Sequence, residues 1–126
     1  MPVRVACVDD DPMILRLVKT ALERRLGAQV SAYTNSTEAL DALREEEPPE
    51  LVILDAMMPN LDGFSLCEAL LQEWKGREPR IIFLTAGGPG HRERALKSGA
   101  FAALSKPFQP NELMREIARL CGGQSE

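Results

Sequence analysis

The sequence contains few of the residues that build several classes of functional site. Its three cysteines lie far apart, their number is odd and no C-x-x-C pair occurs. This excludes a disulfide framework and disfavours cysteine metal or redox sites, so we expect Cys7, Cys67 and Cys121 to be buried thiols in a reducing compartment. The single histidine, His91, excludes sites built from several histidines. We interpret it as a polar residue that opens a helix.

Long apolar runs and an excess of positive charge are also missing. No apolar run approaches the roughly 18 residues that a membrane-spanning helix needs. The N-terminal stretch MPVRVACVDDD has no apolar core of a secretory signal. We therefore expect a cytoplasmic protein that contacts no membrane. Nineteen acidic residues against fifteen Lys and Arg give a formal net charge of −4, which argues against a nucleic-acid-binding domain.

The pattern that is present alternates strands with helices along 126 residues, the length of one domain. Short apolar runs predict strands over residues 3–8, 28–33, 51–54, 80–84 and 101–105. Helical spacing predicts helices from Pro12 to Leu26, after Asn35, through Leu66, Leu70 and Trp74, over 91–98 and over 111–121. We interpret the glycine-rich stretch at residues 87–90 as a mobile loop. The alternation predicts an α/β fold with a doubly wound, five-stranded parallel sheet and helices on both faces.

Polar residues stand where these predicted strands end, the edge at which such sheets bind ligands. They are Asp9, Asp10, Asp55, Thr85 and Lys106. Clustered carboxylates repel one another unless a cation or raised pKa values relieve the repulsion. Ligands that are all oxygen favour Mg²⁺ and disfavour Zn²⁺. An aspartate can itself be a nucleophile that forms an aspartyl phosphate, with a lysine and a hydroxyl to stabilise the phosphoryl oxygens.

Four motifs stand in order along the chain, each at the end of an apolar strand: VACVDDDP, LVILDAMMPNLDGF, IIFLTA and SKPF. With these motifs the chain resembles, from about residue 3 to 121, a receiver domain of two-component response regulators. The resemblance implies a flavodoxin-like fold with strand order 2-1-3-4-5. It also implies a receiver domain over residues 1–121. The sequence GGQSE itself predicts a flexible tail or linker stub over residues 122–126.

The resemblance also implies a role for each site residue. Asp55 matches the phosphoacceptor, and Mg²⁺ is held by Asp9, Asp10, Asp55 and the backbone carbonyl of Met57. Thr85 and Lys106 match the residues that bind the phosphoryl group and switch. The Lys106–Pro107 peptide bond is expected to be cis.

Partners and output follow from the same resemblance. A histidine kinase or phosphotransfer protein donates the phosphoryl group, and the fourth helix, fifth strand and fifth helix present an altered surface to a downstream protein or a fused effector. The domain contacts no nucleic acid itself. It is not an enzyme in the ordinary sense, because it promotes only its own phosphorylation and dephosphorylation.

Several of these residues have simpler interpretations that we keep beside the functional ones. Asp11 is either a further metal ligand or the N-cap of a helix that begins at Pro12, and we favour the cap. Asp62-Gly63 is more typical of a turn than of a phosphate contact. The GGPG stretch lacks the G-K-[ST] of a phosphate-binding P-loop.

One position departs from the family pattern. The family usually has Tyr or Phe three residues before the lysine, and here that residue is Ala103. Strand alternation would place Phe101 on the same face as Ala103, where it could substitute. As a hypothesis, signalling relies instead on the GGPG loop and the helix that follows it.

Two other classes of function remain open, and a third is weaker. A pseudo-receiver would bind partners without phosphate, an alternative encouraged by Ala103. A small phosphatase using an aspartyl phosphate would need a second acid close after the nucleophile, but residue 57 is Met. A flavin-binding protein is disfavoured because the acidic edge would repel a flavin phosphate.

Overall fold

The strands form where the sequence is most continuously apolar. The computed structural model describes residues 3–122, and the side chains up to residue 120. The strands are β1 (Arg4–Val8), β2 (Gln29–Tyr33), β3 (Leu51–Asp55), β4 (Arg80–Thr85) and β5 (Ala102–Ser105). The helices are α1 (Pro12–Leu26), α2 (Ser36–Leu43), α3 (Gly63–Glu73), α4 (Pro89–Lys97) and α5 (Pro110–Gly122). Within residues 3–122 no helix is both long and apolar enough to cross a membrane.

All the strands are parallel and lie in the order β2-β1-β3-β4-β5, which confirms the predicted fold. The register of the strands places the residues at their carboxyl ends next to one another. Val8 pairs with Leu54, so the residues that follow them, Asp9 and Asp55, lie side by side. On the other side of β3, Thr85 of β4 pairs with Ser105 of β5, and Lys106 follows Ser105. The sheet therefore brings these side chains to one edge.

The helices cover the sheet on both sides and form a hydrophobic cluster on each. The first cluster lies under α2, α3 and α4 and includes Phe64, Phe83 and Ala103. The second lies under α1 and α5 and includes Cys7 and Ile53. Because β3 and most of β1 and β4 are buried on both faces, these strands are apolar along their length.

Two of the cysteines test the prediction of buried thiols. Cys7 and Cys67 are both free and buried, as predicted. Burial raises the pKa of the Cys67 thiol to about 11, and that of Cys7 is raised as well. Both thiols are therefore protonated and unreactive at neutral pH. The side chain of Cys121 lies outside the described residues.

The ends of the helices confirm one prediction and correct two others. At α1 the Asp11 carboxylate accepts a hydrogen bond of 2.9 Å from the Met13 N–H, which is the predicted N-cap. Asp62, predicted as part of a turn, caps α3 in the same way through Ser65 N–H at 2.8 Å. At the far end of the chain Gly122, predicted as the start of a tail, is the last residue of α5. Residues 123–126 lie outside the described residues.

The loop between β4 and α4 ends earlier than the glycine-rich stretch at residues 87–90 predicts. Helix α4 begins at Pro89, so Pro89 and Gly90 belong to its first turn and only residues 86–88 connect β4 to it. Proline suits the first helical position, because its fixed φ is helical and it has no N–H to leave unpaired. Gly88 precedes it with a φ of 80°, a conformation that favours glycine.

Candidate functional site

Three carboxylates meet at the carboxyl ends of β1 and β3. One carboxylate oxygen from each of Asp9, Asp10 and Asp55 lies within 4.8 Å of the other two. Asp9 is fully buried, Asp55 is 4% exposed and Asp10 is exposed. Backbone amides hold the buried pair in place: Asp9 Oδ1 accepts from the Asp11 N–H at 2.9 Å and Asp55 Oδ1 from the Met57 N–H at 3.2 Å. We call these three residues the acidic cluster.

Lys106 reaches this cluster from the end of β5. Its Nζ lies 2.9 Å from Asp9 Oδ2 and 3.4 Å from Asp55 Oδ2. The Lys106 N–H donates to the carbonyl oxygen of Thr85 at 2.8 Å, which ties this residue to β4. The Lys106–Pro107 peptide bond is cis, as predicted. The ammonium group thus lies between two buried carboxylates.

The electrostatics of the cluster leave negative charge to be compensated. Burial raises the pKa of Asp55 to about 7, and the Asp9 charge adds to this, while Lys106 and the Met57 N–H act in the opposite direction. Burial by itself lowers the pKa of Lys106, but the Asp9 and Asp55 carboxylates outweigh it and the net pKa is raised. One lysine therefore only partly offsets the repulsion between the acids.

This residual charge fits a hard divalent cation. Asp9 Oδ2 is paired with the Lys106 ammonium at 2.9 Å, but the same ammonium also serves Asp55, and Asp10 adds a third carboxylate. Three carboxylates beside one ammonium keep a net negative charge, and a further cation at the cluster would compensate it. The ligands on offer are all oxygen, the set that Mg²⁺ prefers. The Met57 side chain is 58% exposed, so only the backbone of this residue lies at the cluster.

The Thr85 hydroxyl is engaged on the side of α4. Thr85 is buried, and its Oγ1 accepts a hydrogen bond of 2.9 Å from the Gly87 N–H. The same oxygen lies 3.0 Å from Nδ1 of His91, in the first turn of α4. Our interpretation of His91 as a helix-opening residue missed this contact. No sequence signal shows this contact, because it depends on the position of α4 against β4: a Cβ on Gly87 would lie 1.8 Å from His91 Nδ1, so glycine there leaves room for the ring.

The structure also corrects our prediction for Phe101. Ala103 is buried in the cluster under α2, α3 and α4. Phe101 instead packs in the cluster on the other side of the sheet, with the guanidinium groups of Arg80 and Arg119 5.9 and 5.0 Å from its ring centre. The prediction that Phe101 shares the face of Ala103 is wrong, because Phe101 precedes the first residue of β5 and strict alternation holds only within the strand.

With this geometry established, the chain can be compared with known families. The family model described as the response regulator receiver domain matches residues 5–118. The chain belongs to this family. It is therefore a receiver domain of two-component systems, as its four motifs predicted. Receiver domains of this family interact with histidine kinases or phosphotransfer proteins and with effectors.

Curated relatives place similar receiver domains in proteins of different length. The receiver domain is 36% identical over 124 residues to the response regulator Rre1 of Synechocystis sp., covering 98% of this chain and 53% of Rre1. It is 39% identical over 123 residues to the sensor histidine kinase GacS of Pseudomonas protegens, covering 94% of this chain and 13% of the kinase. The chain thus spans about half of the first relative and a small part of the second.

Solved structures share the fold at lower identity. A CheY-like receiver domain protein of Methanospirillum hungatei has a TM-score of 0.85 at 27% identity, covering 99% of this chain and 98% of that one. The receiver domain of a Pseudomonas aeruginosa sensor histidine kinase has a TM-score of 0.80 at 29% identity, covering 94% and 97%. That structure is described as having a magnesium ion coordinated in its active site cleft.

Proposed function

We propose that this receiver domain accepts a phosphoryl group on Asp55 and thereby switches the surface that it offers to its partners. The observation that carries the proposal is the position of Asp55 in the acidic cluster. Its carboxylate is nearly buried, lies 3.4 Å from the Lys106 ammonium and has neighbouring carboxylates on Asp9 and Asp10. A nucleophilic carboxylate beside a fixed positive charge suits phosphoryl transfer, which depends on positioning and charge neutralisation.

In the proposed reaction an oxygen of the Asp55 carboxylate attacks the phosphorus of a phosphohistidine. The P–N bond breaks, and the departing imidazole keeps the electron pair and takes up a proton. Lys106 offsets charge on the transferred oxygens, because its ammonium already lies beside the attacking carboxylate. Thr85 donates its hydroxyl proton to the phosphoryl group once that hydroxyl has turned from its partners near α4.

Asp9, Asp10, Asp55 and the backbone carbonyl of Met57 are the groups that would hold Mg²⁺. When bound, Mg²⁺ supplies positive charge that neutralises the phosphoryl oxygens. Support for this assignment comes from the three carboxylate oxygens of Asp9, Asp10 and Asp55, which lie within 4.8 Å of one another and share the charge of one lysine. Asp11 is left out of the set because its carboxylate caps α1.

The proposal extends to partners and setting. The donor is a histidine kinase or phosphotransfer protein in the cytoplasm, and the output passes to a downstream protein or a fused effector through α4, β5 and α5. The domain catalyses only the gain and loss of its own phosphoryl group and is not a turnover enzyme. The pseudo-receiver, which binds partners without phosphate, becomes one outcome of the test.

The test is intact-mass measurement after incubation with acetyl phosphate, with Mg²⁺ and with EDTA. We expect one phosphoryl adduct on the wild type that requires Mg²⁺ and is lost in Asp55→Asn. The matched control is Asp11→Asn, which removes a nearby negative charge but keeps a side chain that caps α1. It should label like the wild type.

Two outcomes contradict the proposal. A stable adduct on another aspartate of Asp55→Asn would show that Asp55 is not the acceptor. A folded wild type that stays unlabelled by both acetyl phosphate and a phosphorylated kinase, yet binds partners equally well after Asp55→Ala, would establish the pseudo-receiver instead.

A further inference from the structure

We propose that His91 is a positioning residue of the switch. Its ring on α4 links Thr85 to the output surface, a role that an aromatic residue at position 103 of β5 would otherwise have. In the unphosphorylated domain His91 holds the Thr85 hydroxyl on the side of α4. Phosphorylation breaks that bond and frees the first turn of the helix. The inference rests on the proposed phosphorylation of Asp55, since the phosphoryl group is what competes for the hydroxyl.

The hydrogen bonds of Thr85 give the direction of this competition. Its Oγ1 already accepts from the Gly87 N–H, and His91 Nδ1 lies 3.0 Å away. A hydroxyl has one proton to donate and two lone pairs that accept, and in the proposal its proton is assigned to Nδ1 and the ring proton of the imidazole to Nε2. In this tautomer the hydroxyl cannot donate to a phosphoryl group while it donates to His91.

The local packing holds the His91 ring in position to act. A Cβ on Gly87 would lie 1.8 Å from Nδ1 and 2.3 Å from two ring carbons, so the ring occupies the space that glycine leaves. On another side the ring meets Phe64 of α3 edge-on, with centroids 6.1 Å apart and planes at 81°. Phe64 in turn stacks on Phe83 of β4 at 4.8 Å. Movement of the His91 ring after loss of the Thr85 contact would therefore change the packing of α3 as well as that of α4.

The turn that carries His91 is also tied to β5. The neighbouring Arg92 donates from Nη1 to the carbonyl oxygen of Ala103 at 2.8 Å. Ala103 is buried and has no ring to move. The described contacts thus connect Thr85 to the α4–β5 surface through His91 and Arg92, without an aromatic side chain on the strand.

The variants His91→Phe and His91→Asn distinguish the contribution of the Nδ1 hydrogen bond from that of the aromatic ring. Phe keeps an aromatic ring without Nδ1, whereas Asn offers an amide oxygen near the position of Nδ1. The probe is beryllofluoride with Mg²⁺, and the measurement is its dissociation constant from amide chemical shifts. One hydrogen bond lost from the unphosphorylated state corresponds to roughly a fivefold effect. We therefore expect His91→Phe to bind the probe about fivefold more tightly, and His91→Asn to return towards the wild-type value.

Two glycine variants and a double mutant show whether the change in beryllofluoride affinity depends on the contact of His91 with Thr85. Gly87→Ala places a Cβ against the ring and should behave like His91→Phe. Gly90→Ala, where nothing lies within 4 Å of the added Cβ, should behave like the wild type. In a Thr85→Val background, which has no hydroxyl, His91→Phe should have no further effect.

His91 is the single histidine of the sequence, so its imidazole nitrogen signals are assigned without ambiguity. We expect an unprotonated Nδ1 in the free domain and a change of its ¹⁵N shift on adding beryllofluoride. This measurement uses the wild type and does not depend on any variant folding. A protonated Nδ1 in the neutral ring, or an equal effect of His91→Phe with and without the Thr85 hydroxyl, would overturn the role of His91. Failure of the wild type to take up the phosphoryl group or its mimic would instead overturn the proposed function, and this inference with it.

Discussion

At the scale of single residues, Gly63 shows how closely the backbone packs around the proposed acceptor. A Cβ at this position would lie 2.1 Å from the carbonyl oxygen of Asp55 and 2.9 Å from its carbonyl carbon. The contact is with backbone, so it is relieved only by moving the chain that carries Asp55. Glycine at position 63 therefore keeps β3 and the start of α3 close together.

Gly63→Ala should lower the free energy of unfolding by about 1–3 kcal/mol, the usual cost of forcing extra volume into a packed site. It should also slow labelling of Asp55 by acetyl phosphate, because the backbone of the acceptor must shift. Denaturant unfolding and timed intact-mass measurements check the two effects. The control is Gly90→Ala, which adds the same methyl group in open space. Equal behaviour of the two variants would contradict the packing argument.

At the scale of elements, the start of α1 decides how the first acidic run is divided. Asp9 and Asp10 contribute oxygens to the acidic cluster, whereas Asp11 caps the helix. The sequence shows three consecutive acids, and the helix begins directly after the third. Because its carboxylate is used as the N-cap of α1, Asp11 does not belong to the acidic cluster.

Asp11→Ala should reduce the free energy of unfolding by about 1 kcal/mol, because the N-cap bond to the Met13 N–H is lost. Asp11→Asn should be nearly neutral, since asparagine caps equally well. Neither change should alter Mg²⁺ affinity by more than about twofold, as expected for an exposed charge screened by water. Thermal unfolding and Mg²⁺ titration followed by amide shifts test this. A large loss of Mg²⁺ affinity in both variants would instead make Asp11 part of the metal site.

At the scale of the whole molecule, the acidic cluster couples stability to pH. The pKa of Asp55 is raised from 3.8 to about 7, chiefly by burial. Between these values the unfolded chain has lost this proton while the folded chain keeps it. By linkage, the contribution of Asp55 to stability falls as the pH rises from about 4 to about 7 in the absence of metal.

In EDTA, Asp55→Asn should therefore be more stable than the wild type above about pH 7, and this advantage should shrink as the pH falls towards 4. Added Mg²⁺ should stabilise the wild type more than the variant, because a ligand that binds only the folded state raises its stability. Thermal unfolding over this pH range, with and without Mg²⁺, gives the comparison. A wild type that is more stable than Asp55→Asn at pH 8 in EDTA would contradict the buried, repulsive environment of the carboxylate.

The sequence by itself determined the fold and the residues at the carboxyl ends of the strands. Apolar runs of strand length alternating with helical patterns leave few arrangements other than a covered parallel sheet. Asp55, Thr85 and Lys106 were found because each stands at or directly after the end of an apolar strand. These signals are local, and burial of the central strands on both faces makes them strong.

Only the tertiary structure decided how distant segments meet. Three features depend on strand boundaries and on the space between elements. They are the start of α4 at Pro89, the face of the sheet on which Phe101 packs, and the contact of His91 with Thr85. Periodicity fixes a side-chain direction within an element but not the packing at its ends. His91 reaches Thr85 because Gly87 leaves room for its ring, and that room exists only once β4 and α4 are placed against each other.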